Sequence, residues 1–237
     1  MTTTTPSRRE RLRAETATEI KDAARRLLVA GGPTAVSLRA IARDVGMTAP
    51  ALYRYFPGLD ALVLAIVTDL FEDLRMTVED VAAAHADDEP LTRVGHMARG
   101  FRRWALDHPA EFALMFGSPV PGVTQFGEHC VPGPVNDAGA RFGETFFAVL
   151  GEHFQRHPFG DEPDDLPDPA LRELLGPYLE TFGERFPLPV VALFLAAWTR
   201  LYGLVAMEVF GHLAWAVTDV EPLFEAELAR TVRQLAR

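Results

Sequence analysis

The stretch from Ser37 to Phe56, Ser-Leu-Arg-Ala-Ile-Ala-Arg-Asp-Val-Gly-Met-Thr-Ala-Pro-Ala-Leu-Tyr-Arg-Tyr-Phe, narrows the folds open to this chain more than any other. Its first half reads as a short helix: Ser37 can cap it, and Leu38, Ile41, Ala42 and Val45 recur at helical spacing on one apolar face. Gly46 stands where that helix must stop and turn, since glycine takes a left-handed conformation without steric cost. Thr48 can cap a second helix, and Pro50 falls in its first turn, where a missing amide hydrogen loses no partner. Two short helices joined by a glycine turn form a helix-turn-helix, whose second helix enters the major groove of DNA. A capped helix pair also occurs in ordinary bundles, so spacing alone leaves both readings open.

The outward face favours DNA binding. Leu52 and Phe56 are four apart and can pack inward, which leaves Ala49, Pro50, Ala51, Tyr53 and Arg54 outside. That is a poor surface for water, but small apolar groups suit thymine methyls, while tyrosine and arginine suit phosphates and base edges. The run Leu-Arg-Ala-Ile-Ala-Arg-Asp-Val-Gly, followed by Thr-Ala-Pro-Ala-Leu-Tyr-Arg-Tyr-Phe-Pro, resembles the signature of the TetR family of bacterial transcriptional regulators. The likeness extends over about Thr16 to Leu64, with helix, turn, aromatic pair and following helix in register. It implies that Ser37, Arg39, Thr48, Ala49, Pro50, Ala51, Tyr53, Arg54 and Tyr55 hold DNA-contact positions on a double-stranded operator. Arg39 would read guanine, and Tyr53 and Tyr55 would bond phosphates, although Tyr55 also fits core packing. One departure stands out. Leu59 opens the fourth helix, where the family usually has a lysine against a phosphate.

Charge is distributed in keeping with this. The net charge is −10, yet residues 1–60 carry ten Lys and Arg against six Asp and Glu, so the acidity belongs to the remainder. A basic front on an acidic body fits local contact with DNA. The single cysteine, Cys130, excludes an internal disulfide and a cysteine-based zinc site. The opening Met-Thr-Thr-Thr-Thr-Pro-Ser-Arg-Arg lacks the apolar core of a secretory signal. Pro187 to Val217 is the most apolar segment, but its longest charge-free run is thirteen residues, short for a bilayer. A cytoplasmic protein with no membrane segment is the expectation.

Along the chain, the pattern predicts an all-α fold with three parts. Residues 1–15 read as a disordered basic arm containing Arg8, Arg9, Arg11 and Arg13; 16–60 as the DNA-binding domain; and 61–237 as a helical bundle for ligand binding and dimerisation. The predicted helices run over Thr16–Ala30, the helix-turn-helix pair, Leu59–Ala84, Leu91–Asp107, Ala110–Phe116, Val135–Arg156, Ala170–Phe182, Pro187–Leu213 and Val220–Leu235. Proline- and glycine-rich loops are expected over 117–134 and 157–169.

Trp198-Thr-Arg-Leu-Tyr202-Gly203, continuing to Phe210-Gly211, resembles the C-terminal domain of a TetR subgroup named for a Trp-His-Gly pattern, with tyrosine at the histidine position. The resemblance implies a homodimer through the last two helices, where Gly203 and Gly211 would let backbones approach. The aliphatic and aromatic surface of those helices exceeds what one small body buries. For a small hydrophobic or aromatic effector, the candidate wall is Met97, Phe101, Trp104, Phe112, Met115, Phe146, Phe194, Trp198 and Tyr202, residues whose spacing an ordinary core also has. Catalysis and cofactors are not expected. His153 and His157 are four apart but lack the neighbouring glutamate of a zincin, His129-Cys130 has no third partner, and no phosphate-binding glycine loop occurs.

Overall fold

The computed structural model describes residues 7–117, 133–157, 169–182 and 188–236. Most of the two loops expected over 117–134 and 157–169, with Cys130, lies outside the described residues. Among these residues there are ten α-helices, one turn of 3-10 helix (Pro33–Ala35) and no strand, as the periodicity predicts. The helices are α1 (Arg8–Gly31), α2 (Leu38–Asp44), α3 (Ala49–Leu52), α4 (Leu59–Ala84), α5 (Pro90–Asp107), α6 (Pro109–Phe116), α7 (Pro134–Arg156), α8 (Pro169–Phe182), α9 (Leu188–Val209) and α10 (Glu221–Leu235). Four of them, α5 to α8, open on a proline, where the fixed φ suits a helix start and the missing N–H costs nothing.

The chain forms two compact units, one of Met1–Leu74 and His108–Phe142, the other of Arg75–Asp107 and Gly143–Arg237. In the first unit the core gathers Ile20, Ala23, Ala24 and Leu28 of α1, Ile41 of α2, Leu52 of α3, Leu62, Ile66 and Leu70 of α4 and Phe112 of α6, all essentially without exposure. Phe71, Phe116 and Phe142 add an aromatic cluster, Phe71 meeting Phe116 edge-on at 5.6 Å. Polar ties follow the same geometry. Lys21 pairs with Asp69, and Arg25 pairs with Asp73 at 3.2 Å, so successive turns of α1 and α4 are clamped together.

Two expectations about helix limits are corrected here, and the structure sets a third limit. The first helix begins at Arg8 instead of Thr16, so residues 8–15 are helical and not a disordered arm. The cause is a capping box: Glu10 N–H donates to Ser7 Oγ at 3.2 Å, and Ser7 N–H donates to the Glu10 carboxylate at 2.7 Å. The second helix of the pair is only Ala49–Leu52, with Tyr53–Tyr55 in the turn that follows. Finally, α9 stops at Val209 and not Leu213. Gly211 has φ +68°, and the His212 and Gly211 amides bond back to the Met207 and Glu208 carbonyls, a Schellman stop. Gly211 is therefore a helix terminator first.

In the second unit α5 is the central helix, with Met97, Phe101 and Ala105 fully enclosed. Gly100 faces Val81 so closely that an added Cβ would sit 3.1 Å from the valine Cγ2, which fixes the α4–α5 approach. α10 packs on α5 and α9. Two bidentate pairs bind these elements: Arg99 to Glu225, and Arg102 to Glu208 at 2.8 and 2.7 Å. The second pair is mostly enclosed, with Arg102 also over the Phe224 ring. Among the described residues α9 alone is long and apolar enough to cross a membrane, which the charge-free count had not anticipated. Its two charges are spent on neighbours, Glu208 on Arg102 and Arg200 on Gln234 at 2.7 Å, as in a packed bundle.

Candidate nucleic-acid interface

The presentation of the recognition segment starts from Ser37. Its Oγ accepts from Ala40 N–H at 3.2 Å and caps α2, which fixes the helix entry. Gly46, at φ +67°, then reverses the chain, with Met47 N–H bonded to the Ala42 carbonyl at 2.8 Å. Any Cβ there would be strained by the backbone alone. Thr48 stands at the N-cap of α3 with extended backbone but makes no side-chain cap bond, so its hydroxyl is not used in closing the helix. Leu52 at 0 % exposure and Phe56 at 9 % anchor the segment, as expected.

What remains faces out. Ser37, Arg39, Thr48, Pro50, Tyr53 and Arg54 are exposed, and Ala49, Ala51 and Tyr55 are half-buried, so none of the nine candidate contact residues is consumed by the core. Tyr53 is 53 % exposed, a large ring turned to solvent. Tyr55 has a further partner. The Arg13 guanidinium lies 5.6 Å over its ring, and Arg13 Nη2 donates to the Arg54 carbonyl at 2.9 Å. A helical α1 thus braces the end of the recognition segment, a role hidden from the sequence reading because Arg13 fell in the supposed arm. The spacing of Ser7 and Glu10 carried the missing signal. Leu59 is half-buried at the first position of α4 and brings no charge to that helix end.

The nine candidate effector residues are divided between the two units. Phe112 and Met115 belong to the first unit and are buried there, while the other seven belong to the second. Of these, Phe146, Phe194 and Trp198 line a shallow cleft formed by α5, α7, α9 and α10, with about 40 Å³ of interior space inside a mouth that brings the open volume to about 570 Å³. Phe101 and Tyr202 back the wall through Trp198, at ring separations of 5.4 and 5.9 Å, and Met97 and Trp104 are core residues. Burial pushes the Tyr202 phenol upward, so its hydroxyl stays a hydrogen-bond donor. The lining is otherwise aliphatic, Val94, Ala98, Leu150, Leu201, Leu204 and Leu228 among it. Arg200, Glu227 and Thr231, which sequence reasoning missed, also line it, but through their carbon atoms, since their polar groups pair with neighbours. These lie on α9 and α10, and only the folded pairing of the two helices brings them to one wall.

Comparison with known proteins agrees with this geometry. Residues 20–66 match the family described as bacterial regulatory proteins, tetR family, and residues 94–231 match a tetracycline repressor-like C-terminal domain, a description without the Trp-His-Gly pattern. HTH-type transcriptional regulator Rv1816 of Mycobacterium tuberculosis is 30% identical over 97% of this chain and 96% of its own. The crystal structure of SCO4313, named as a regulatory protein, superposes with a TM-score of 0.68 at 30% identity, covering 96% of this chain and 98% of that one. FadR of Bacillus subtilis, solved with stearoyl-CoA, shares the fold at a TM-score of 0.58 and 11% identity over 91% of this chain and 97% of its own. Rv1816 and FadR are both named as transcriptional regulators. With an exposed helix-turn-helix at its front and matches to both halves, this chain belongs to the TetR family of bacterial transcriptional regulators.

Proposed function

We propose that the protein is a homodimeric repressor that holds a pseudo-palindromic operator through two copies of the α2–α3 segment and releases it when a small hydrophobic effector binds. The observation that carries this reading is the surface of that segment, where Arg39 of α2, Pro50 of α3 and Tyr53 and Arg54 of the following turn are all exposed, anchored by the buried Leu52 and Phe56. Arg39 reads a guanine edge, the alanines and Pro50 meet thymine methyls, and Tyr53 and Tyr55 bond phosphates. Two-fold symmetry would set the half-sites about one helical turn of DNA apart or somewhat more.

The dimer is assigned to α9 and α10. In support, α9 buries only Val190, Val191, Phe194 and Val205 along its apolar length, Met207 and Leu223 are exposed, and Gly203 has open space before it. The effector is assigned to the cleft of the second unit. Its almost wholly apolar walls suit a hydrophobic or aromatic body. Stearoyl-CoA in the FadR structure makes acyl compounds a sensible first class to screen. A coupling of about 1–3 kcal/mol between effector and operator would change occupancy 5- to 150-fold. Such a regulator works beside the chromosome, in the cytoplasm, and needs no cofactor.

Fluorescence anisotropy with DNA from upstream of its own gene, beside scrambled DNA at two salt concentrations, tests the first half of this reading. Specific binding by a dimer, weakened by Arg39→Ala, is the expected result. Equal weak binding to both DNAs, or a monomer in sedimentation, would overturn it. Release of the complex by an acyl or aromatic compound, blocked by Trp198→Ala, tests the second half.

A further inference from the structure

The turn after α4 gathers three side chains that the sequence spreads over residues 85–96. His85 follows the last residue of α4, Asp88 lies in the turn, and His96 is on α5. His85 Nδ1 is 3.1 Å from Asp88 Oδ2, and His96 Nε2 is 3.5 Å from the same oxygen. The two imidazoles lie parallel within 2°, their centroids 3.7 Å apart. One ligand atom from each residue falls within 4.8 Å of the others, the one such group of His, Cys, Asp and Glu found among the described residues.

This arrangement differs from an ordinary helix-end ion pair. Two imidazolium rings stacked face to face would repel each other, and one carboxylate could not balance both. In the stacked arrangement the in-plane lone pairs of the two rings run in parallel planes, and a turn of one ring about its Cβ–Cγ bond is what would bring both to a single ion beside Asp88. Zinc holds nitrogen and oxygen donors at about 2.0–2.2 Å, so tetrahedral neighbours stand about 3.3 Å apart. The observed 3.1 Å hydrogen bond and 3.5 Å contact to Asp88 Oδ2 lie near that separation, so an ion could replace the ring protons between these atoms with little movement of the carboxylate. The turn is also braced. Asp88 N–H donates to the His85 carbonyl at 3.0 Å, and Arg93 Nη1 donates to the Ala86 carbonyl at 3.3 Å. Arg93, the nearby buried cation, is neutralised by Glu152 at 2.7 Å. The three side chains are 31–41 % exposed, enough for an ion to enter and keep water in its remaining positions.

We propose that His85, Asp88 and His96 bind a first-row divalent transition ion, zinc being the one their two-nitrogen, one-oxygen donor set suits best. Imidazole ligands select zinc, nickel, copper or cobalt, whereas magnesium and calcium require oxygen. The ion ties the end of α4 to α5, independently of any operator or cleft ligand.

Tag-free, full-length protein is titrated with Zn²⁺ against a chromophoric chelator, and separately with Co²⁺ followed by its visible absorption. One equivalent of each binds the wild type. His96→Gln and Asp88→Asn weaken zinc by about tenfold or more, because losing a ligand costs at least as much as losing its outer support. His157→Gln, in the other histidine pair, leaves binding unchanged, and Mg²⁺ does not compete. The absence of a stoichiometric site in the folded wild type would overturn the proposal. So would His96→Gln and Asp88→Asn that bind zinc as tightly as the wild type, or a His157→Gln that abolishes binding.

Discussion

At the scale of single residues, the interface divides into groups that read and groups that hold. Arg39 is exposed and near the start of a capped helix, so Arg39→Ala should cost about 1–3 kcal/mol on the operator and much less on scrambled DNA. An equal loss on both DNAs in anisotropy would make Arg39 a phosphate contact instead. Arg13 belongs to the holding group. Its bond to the Arg54 carbonyl and its place over Tyr55 mean that Arg13→Ala should weaken operator binding while leaving the protein folded. Leu59 invites the converse experiment. A lysine there would restore a cation at the start of α4, so Leu59→Lys should steepen the dependence of log K on log salt by about one unit. An unchanged slope would mean that the α4 terminus stands away from the backbone of the DNA.

At the scale of elements, the positive-φ stops at Gly32, Gly46 and Gly211 and the enclosed ion pair shape the units. Gly211→Ala places a Cβ on a left-handed residue and should cost about 1–2 kcal/mol in urea unfolding, although no atom crowds the site. Glu208 and Arg102 offer a sharper comparison. Glu208→Leu leaves the Arg102 guanidinium with only the more distant Glu221, at 3.8 Å, and should destabilise by about 3 kcal/mol, whereas Glu208→Leu with Arg102→Met should recover most of that loss. If the double variant were no better than the single, the pair would matter for its bridging of α5 and α9 and not for its charge. The elements themselves were largely legible. Helical periodicity with Pro90, Pro109, Pro134 and Pro169 marked four starts within a residue, since proline leaves so few alternatives. The errors came where one residue type serves two ends. Ser7 looked like part of a polar tail until its pairing with Glu10 was seen, and Gly211 looked like a contact surface until its φ was seen. The recognition surface was readable because local spacing alone separates Leu52 from Tyr53. The cleft and the His85–Asp88–His96 group were not, because packing of distant turns and helices creates them.

At the scale of the whole molecule, proton binding gives a way to ask whether the C-terminal unit works as one folded body. His153 is 8 % exposed on α7, and burial, with the neighbouring His157, holds its imidazole below the ordinary histidine range, against the opposing pull of the Leu235 carbonyl and Glu89. An unfolded chain takes up this proton near pH 6.5, while the folded one resists it to lower pH. Between those two values the unfolded state binds more protons, so stability must rise with pH across that window. The contribution of His153 is therefore complete above about pH 6.5 and is lost as the pH falls through its folded value. Urea midpoints measured from pH 7.5 down to 5.5 should fall for the wild type and fall less steeply for His153→Gln, whatever fixed cost that substitution adds. Because α7 and α10 meet this imidazole together, the same titration read by DNA-free circular dichroism and by Trp fluorescence should give one coincident transition. Equal slopes in the two proteins would show that His153 opens to water without unfolding, and would place the acid response on the exposed carboxylates instead.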